Sequence, residues 1–530
     1  MRPLALSFSR SLLGPALTLA FVSALVTGCA EEPSPVVPAQ PAPTAPTAPT
    51  AAPTTPDADY RLKAPAGGAD VVFVPPRIQE ATLRNGIHVL LVERHELPIV
   101  AVRVVAAEGA EAGGVGVGSF AGALLASGTK TRSALEISDA FESLGADFAA
   151  GADDDSVGVS ARVLTPKLHD ALALLADLLQ HPTFPKEEVD RERSRRLNEI
   201  GRARDMPARL LADTRLELLY PASHPYAHPL LGTAEAVEKI TSADLAKFHS
   251  AVVQPDLVTI AIAGDVTRQT AVEELERAFG AWRGKARRVK PPAEPPFDAK
   301  GPRVVLIDRP GATQSNVSVT DVGVPRVTRD HDAITLMNAI LGGQFSSRIN
   351  LNLREKHAYT YGARSGFDMR HGAGPFGVGG AIKTESTAPA IKEILAEIDA
   401  IRAAQVTEEE LADAKNNVVK QLPSWFESAG GTATTLASMA VFGLPLDEYA
   451  TLPARIRQVT RDDVQRVAAA HLRPERLRVV VVGDAAKIKA SLGQLGLGEV
   501  VMKALPPKAV DTPAKAGDRP ATKATPVKKP

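Results

Sequence analysis

Leu257-Val258-Thr259-Ile260-Ala261-Ile262-Ala263-Gly264-Asp265 and Leu477-Arg478-Val479-Val480-Val481-Val482-Gly483-Asp484 are apolar, largely β-branched runs closed by the same Gly-Asp pair. Each follows a helical stretch with a similar opening. Ile240-Thr241-Ser242-Ala243-Asp244-Leu245 precedes the first, and Val459-Thr460-Arg461-Asp462-Asp463-Val464 precedes the second. Thr241 and Thr460 lie 219 residues apart, as do Asp265 and Asp484 (460 − 241 and 484 − 265). Two matches in one register identify a tandem duplication. Between the copies, Lys290-Pro291-Pro292-Ala293-Glu294-Pro295-Pro296 is rich in chain breakers and reads as a linker. The expected division is a first domain over 71–285, a linker over 286–300 and a second domain over 301–504.

The first copy shows its element types. Ala81-Thr82-Leu83-Arg84 and Ile87-His88-Val89-Leu90-Leu91-Val92 flank Asn85-Gly86, a hairpin signal, and a third strand runs from Ile99 to Val105. Ser133-Ala134-Leu135-Glu136 has capping-box spacing and opens a helix that Gly145 closes. An acidic run then leads into the alternating strand Ser156 to Leu164, followed by helical segments Lys167 to Gln180 and Lys186 to about Ala203. Strands and helices come in blocks. The expected class is α+β: two homologous domains, each a largely antiparallel sheet with helices on one side.

Composition narrows the partners. Lys+Arg and Asp+Glu are both 61 in 530 residues, so net charge selects no nucleic acid. Met1 to Gly28 carries Arg2 and Arg10, then a mostly apolar run from Leu12 to Val26, and reads as a secretory signal (1–28). Val26-Thr27-Gly28-Cys29 resembles a bacterial lipobox, which implies lipidation of Cys29, the single cysteine of the chain. Pro, Ala and Thr dominate the following stretch, so 29–70 is expected to be an extended spacer between membrane and folded part. The tail, 505–530, has a similar composition with added lysines and is expected to be disordered. These features place the protein at a bacterial cell envelope. Ala30 after the cysteine points to the outer membrane under enterobacterial sorting rules.

Several motifs carry a family resemblance. Gly116 to Thr131 (GVGSFAGALLASGTKT) resembles the zinc-site helix of pitrilysin/insulinase-type peptidases. Phe141-Glu142-Ser143-Leu144-Gly145-Ala146, His224-Pro225-Tyr226 and Gly232-Thr233 follow in that family's order. Leu341 to Arg348 and Leu353 to Tyr361 are similar to its C-terminal domain. Active members carry H-x-x-E-H on the first helix, two imidazoles for one Zn²⁺ and a glutamate as general base. Here Ser119, Gly122 and Ala123 stand at those positions, and none is a zinc ligand or base. Glu199 falls where the resemblance puts the distal metal ligand, with Arg195 and Arg196 about one turn away as ion-pair partners. His224 and His228 are separated by Pro225, which argues against helical two-histidine geometry. A cluster of His181, His224 and His249 is not signalled by spacing.

The resemblance also implies an arginine and a tyrosine, seven apart, that hold a substrate carbonyl. Arg354 and Tyr361 match them. Motif loss with this pair retained resembles the non-catalytic subunit of paired, processing-peptidase-like members. The expectation is therefore a subunit without its own cofactor. Zinc would reside in a homologous partner, and Arg354 and Tyr361 would act in trans on a peptide held by β-augmentation. The alternatives are a non-enzymatic envelope scaffold or peptide-binding module and, ranked last, an independent metallopeptidase.

Overall fold

A computed structural model describes residues Phe73–Leu505. The expectations for 1–28, Cys29, the 29–70 spacer and 506–530 lie outside the described residues. The Asn85-Gly86 turn forms as the dipeptide requires. Gly86 takes φ +93°, and the strands it joins pair antiparallel from Thr82–His88 to Gln79–Leu91. Strands β1 (Gln79–Thr82), β2 (His88–Glu93), β3 (Ile99–Ala106), β4 (Asp147–Ala152), β5 (Val157–Leu164) and β6 (Val258–Gly264) make one sheet, in the order β1-β2-β6-β3-β5-β4. Strands β7 (Val304–Asp308), β8 (Gln314–Val322), β9 (Thr360–Phe367), β10 (Pro375–Lys383), β11 (Arg478–Gly483) and β12 (Val500–Lys503) make the second, in the order β12-β7-β11-β8-β10-β9.

The repeat is visible in the pairing. The apolar run β6 lies parallel to β2 and antiparallel to β3, and β11 lies parallel to β7 and antiparallel to β8. The Gly-Asp that ends each run has a steric reason in the first half. Gly264 sits at φ +141°, where a Cβ would lie 2.1 Å from the Ile99 carbonyl oxygen. Both helices that precede these strands begin with a complete capping box, Thr241 with Asp244 and Thr460 with Asp463. The edges differ. A hairpin supplies β1 antiparallel to β2, whereas the chain's return supplies β12 parallel to β7. No helix or strand lies between Phe279 and Val304.

Each sheet buries both faces, which modifies the one-sided packing expected from sequence. On β2, Val89 and Leu91 enter the core beneath the helices of their own half, while Leu90 and Val92 face the other way. The β6 residues Ile260 and Ile262 likewise point inward, and Ala261 and Ala263 outward. The helix Ala429–Val441, from the second half, covers that outward face with Ala433, Leu436, Ala437 and Met439. Alanines on both surfaces let helix and sheet approach closely. The relation is reciprocal: the helix Pro207–Leu219, from the first half, crosses the second sheet and sets Leu210 against Ile307 and Val482. Among the described residues no helix is long and apolar enough to cross a membrane.

Leu436 is 0% exposed at this crossing. Leu436→Ala is expected to lower stability by about 2–5 kcal/mol. A urea melt that leaves the midpoint in place would show that the exchanged helix does not hold the halves together.

Candidate functional site

The helix Val117–Ala123 carries Ser119, Gly122 and Ala123, the positions to which the sequence resemblance assigns the metal motif. It packs tightly for a local reason. Gly118 and Gly122 have no Cβ, and a Cβ would lie 2.6 Å from Ala110 Cα and from the Ala152 nitrogen of β4, respectively. The Gly122 position therefore has no room for a glutamate. Ser119 is buried and turns its hydroxyl to the carbonyls of Gly116 (3.2 Å) and Leu230.

An arginine fills the space that faces this helix. Arg196, on the helix Lys186–Ala203, is 2% exposed. Its guanidinium donates to Ser119 Oγ (2.9 Å), the Ser119 carbonyl (2.8 Å) and the Leu231 carbonyl (3.3 Å), and it stacks 4.7 Å over the Phe120 ring. Its Nε donates to Glu192 Oε1 at 2.7 Å. Glu192 also receives a two-pronged contact from Arg195, at 2.6 and 2.7 Å. Burial alone would raise the Glu192 carboxyl. Arg195 and Arg196 outweigh it and hold that carboxyl below its ordinary range. A fixed organic cation thus sits against Ser119, satisfied by carbonyls, a hydroxyl and one carboxylate.

Glu199 does not reach this point. Its carboxylate pairs with Arg195 Nη1 at 2.7 Å and is 46% exposed. The residue that spans from its helix to Ser119 is Arg196, which the sequence had marked only as a partner for Glu199. These residues do not fit a zinc ion. Ser119, Gly122 and Ala123 offer no imidazole or carboxylate, and a guanidinium repels a metal cation.

The histidines are dispersed, each with its own partner. His181 Nδ1 meets Asp177 (3.2 Å), His224 Nε2 the Ala293 carbonyl (3.1 Å), His228 Nε2 the Ala222 carbonyl (3.0 Å) and His249 Nε2 the Leu179 carbonyl (2.9 Å). Burial pulls His249 down to about 4.

Arg354 and Tyr361 do come together. Both line one surface concavity of about 370 Å³, along with Gln314, Glu355 and Lys383. Arg354 lies in the π-helical turn Leu351–Lys356, stacks 4.6 Å over Phe345 and contacts Glu355 at 3.3 Å. Ala358 follows at φ +52°, a strained conformation for a residue with a Cβ, and turns the chain into β9. Tyr361 stands at 89% exposure on that strand. Among the described residues, no hydrogen bond or ion pair joins either side chain to the helix Val117–Ala123.

Arg196→Met is expected to cost about 2–4 kcal/mol, because Glu192 keeps Arg195 but Ser119 loses its donors. Restoring the motif as Ser119→His/Gly122→Glu/Ala123→His is expected to lower the melting temperature without adding a zinc equivalent beyond whatever the unsubstituted chain binds. One zinc equivalent more in the triple variant than in the unsubstituted chain would contradict the packing described. His249 makes a separate prediction. Its folded pKa of about 4 lies below the ordinary 6.5, so below pH 6.5 the unfolded chain takes up a proton that the folded chain refuses. Stability should fall as pH drops from about 6.5 to 4, by up to about 3 kcal/mol from this group, and His249→Gln should remove that share of the acid sensitivity.

Comparison with known proteins agrees with this architecture. The profile described as "Insulinase (Peptidase family M16)" matches residues 91–234, and "Peptidase M16 inactive domain" matches 239–418. An uncharacterized zinc protease of Mycobacterium bovis is 29% identical over 371 residues, covering 69% of this chain and 84% of the relative. The uncharacterized zinc protease YmxG of Bacillus subtilis is 26% identical over 402 residues, covering 74% and 94%. A crystal structure of a peptidase M16 inactive domain from Pseudomonas fluorescens superposes with TM-score 0.70 at 28% identity, over 77% of this chain and 98% of that one. A Helicobacter pylori protease shares the fold, with TM-score 0.70 at 23% identity over 77% and 100%. The two profiles follow one another through both halves of the duplication, and the chain belongs to the insulinase-type (M16) peptidase family.

Proposed function

We propose that this chain is the non-catalytic subunit, without a catalytic zinc, of a two-subunit, processing-peptidase-like enzyme at the bacterial cell envelope. One observation carries the reading: the Arg196 guanidinium stands against Ser119 where a metal would be held, while Arg354 and Tyr361 remain together on an open surface. A chain selected only as scaffold has no need of an exposed tyrosine beside an arginine on a strained turn. In this reading the homologous partner supplies zinc and the hydrolytic water. Arg354 offers guanidinium N–H donors and Tyr361 a hydroxyl, and both hydrogen-bond the carbonyl oxygen of a peptide as negative charge develops on it. Neither has to carry a proton. The peptide itself would add to a sheet edge, and β4 and β9 each have a single strand neighbour. Cys29, lipidated, would tether the pair to the membrane, with the Pro/Ala/Thr segment as spacer.

The non-enzymatic peptide-binding module is the reading to set against this one, because the fold and its edges serve it equally. Co-expression with a homologue bearing H-x-x-E-H distinguishes the two. The proposal expects a membrane-associated complex, released to the soluble fraction by Cys29→Ala, that cleaves peptides which neither chain cleaves alone. Arg354→Ala or Tyr361→Phe should slow that cleavage about ten- to a thousandfold with the complex intact. A stable complex without cleavage favours the module, and unchanged turnover in both variants removes the pair from the chemistry.

A further inference from the structure

The acidic run ahead of β5 has a destination in the fold. Asp153-Asp154-Asp155, with the 3₁₀ turn Ala110–Ala112 beside it, faces the Arg370-His371-Gly372 turn between β9 and β10 in the other half. Arg370 is engaged by Asp154 at 2.9 Å and Asp368 at 2.7 Å, with its guanidinium 4.7 Å over Tyr226. That leaves one imidazole against two further carboxylates. His371 Nδ1 lies 3.3 Å from Glu111 Oε1 and 3.4 Å from Asp155 Oδ1, and all three ligand atoms lie within 4.8 Å of one another. Glu111 and Asp155 are 9% and 7% exposed.

Each of these side chains is held in place by a second contact. His371 Nε2 donates to the Val441 carbonyl at 2.9 Å, which turns Nδ1 toward the two carboxylates. Although burial opposes the charge, Glu111 and Asp155 keep the ring protonated without a metal, so a bound dication takes the place of the Nδ1 proton. Glu111 Oε2 accepts the Gly109 N–H at 3.1 Å. Asp155 Oδ1 accepts the His371 N–H at 2.9 Å and the Tyr226 hydroxyl at 3.4 Å.

We propose that Glu111, Asp155 and His371 form a site for a divalent transition-metal ion, with Zn²⁺ as the best match, that staples the two halves of the chain together. A tetrahedral zinc with bonds of ~2.0–2.1 Å holds its ligands about 3.4 Å apart, which is the separation of Nδ1 from both carboxylate oxygens. One imidazole and two carboxylates are accepted zinc donors, and a dication neutralises both buried charges. An imidazole whose other nitrogen donates to a backbone carbonyl has the tautomer and orientation that metal ligation uses. The fourth position remains for water. None of the three residues belongs to the helix Val117–Ala123, so this site is separate from the erased motif. Two ligands come from the first half and one from the second, so the ion binds only the assembled interface and stabilises it.

Calorimetric titration of the tag-free, chelator-treated full chain with Zn²⁺ alone, at pH 7.5, tests this. The expected result is one equivalent bound per chain and a melting temperature raised by a few degrees. His371→Gln and Glu111→Gln should each weaken binding by more than about a hundredfold, whereas His228→Gln should leave it unchanged. Glu111→Gln preserves shape and keeps the Gly109 contact, so it serves if the histidine variant does not fold. Absence of stoichiometric binding overturns the proposal, as does binding that survives in either folded ligand variant.

Discussion

A sheet of six strands with helices of its own half on one side leaves a second apolar face exposed to water. In this chain that face is closed by exchange. The helix Ala429–Val441 lies on the first sheet and the helix Pro207–Leu219 on the second, so neither half completes its core without the other. The alternation of large and small residues makes the exchange possible. Isoleucines of β6 point to the home helices, and alanines leave the shallow bed on which the visiting helix rests. Whatever the two halves do, they do as one body with a fixed interface. The Arg370–Asp154 and His371–carboxylate contacts form at that interface because the exchanged helices bring the turns together.

The helix Val117–Ala123 shows how a buried arginine organises polar backbone groups around it. Loss of imidazoles would leave a polar hole beside buried backbone carbonyls. Arg196 fills that hole with five N–H donors and a positive charge, Glu192 balances the charge, and Gly122 lets the helix settle onto β4. The cation at this point is a side chain, and its hydrogen bonds to Ser119 and Leu231 support structure. Relatives described as zinc proteases and a solved M16 inactive domain lie at similar distances from this chain.

Much of this was legible in one dimension. The duplication showed in the 219-residue register, and the capping boxes at Thr241 and Thr460 form as their spacing requires. The hairpin at Asn85-Gly86 and the absence of zinc ligands at Ser119, Gly122 and Ala123 rest on local chemistry or on residue identity. Such features are legible because backbone preference and donor type belong to the residue itself. Strand β4 was not foreseen, since Asp147-Phe148-Ala149-Ala150-Gly151-Ala152 has little β propensity and is a strand because β5 and the glycine-containing helix hold it.

The arginine against Ser119 and the meeting of Glu111, Asp155 and His371 had no sequence signal of that kind. Arg196 is one of five arginines on its helix, and nothing in Arg191, Arg193, Arg195, Arg196 or Arg202 says which will be buried. His371 lies 260 residues from Glu111 and 216 from Asp155. The duplicated α+β architecture, the capped helices and the Asn85-Gly86 hairpin follow from the amino-acid sequence alone, because periodicity, capping and turn chemistry are local. Which arginine packs against Ser119 and which carboxylates share an imidazole appear only in the tertiary structure. Those depend on the reciprocal packing of two halves, and no spacing along the chain encodes a distance across an interface.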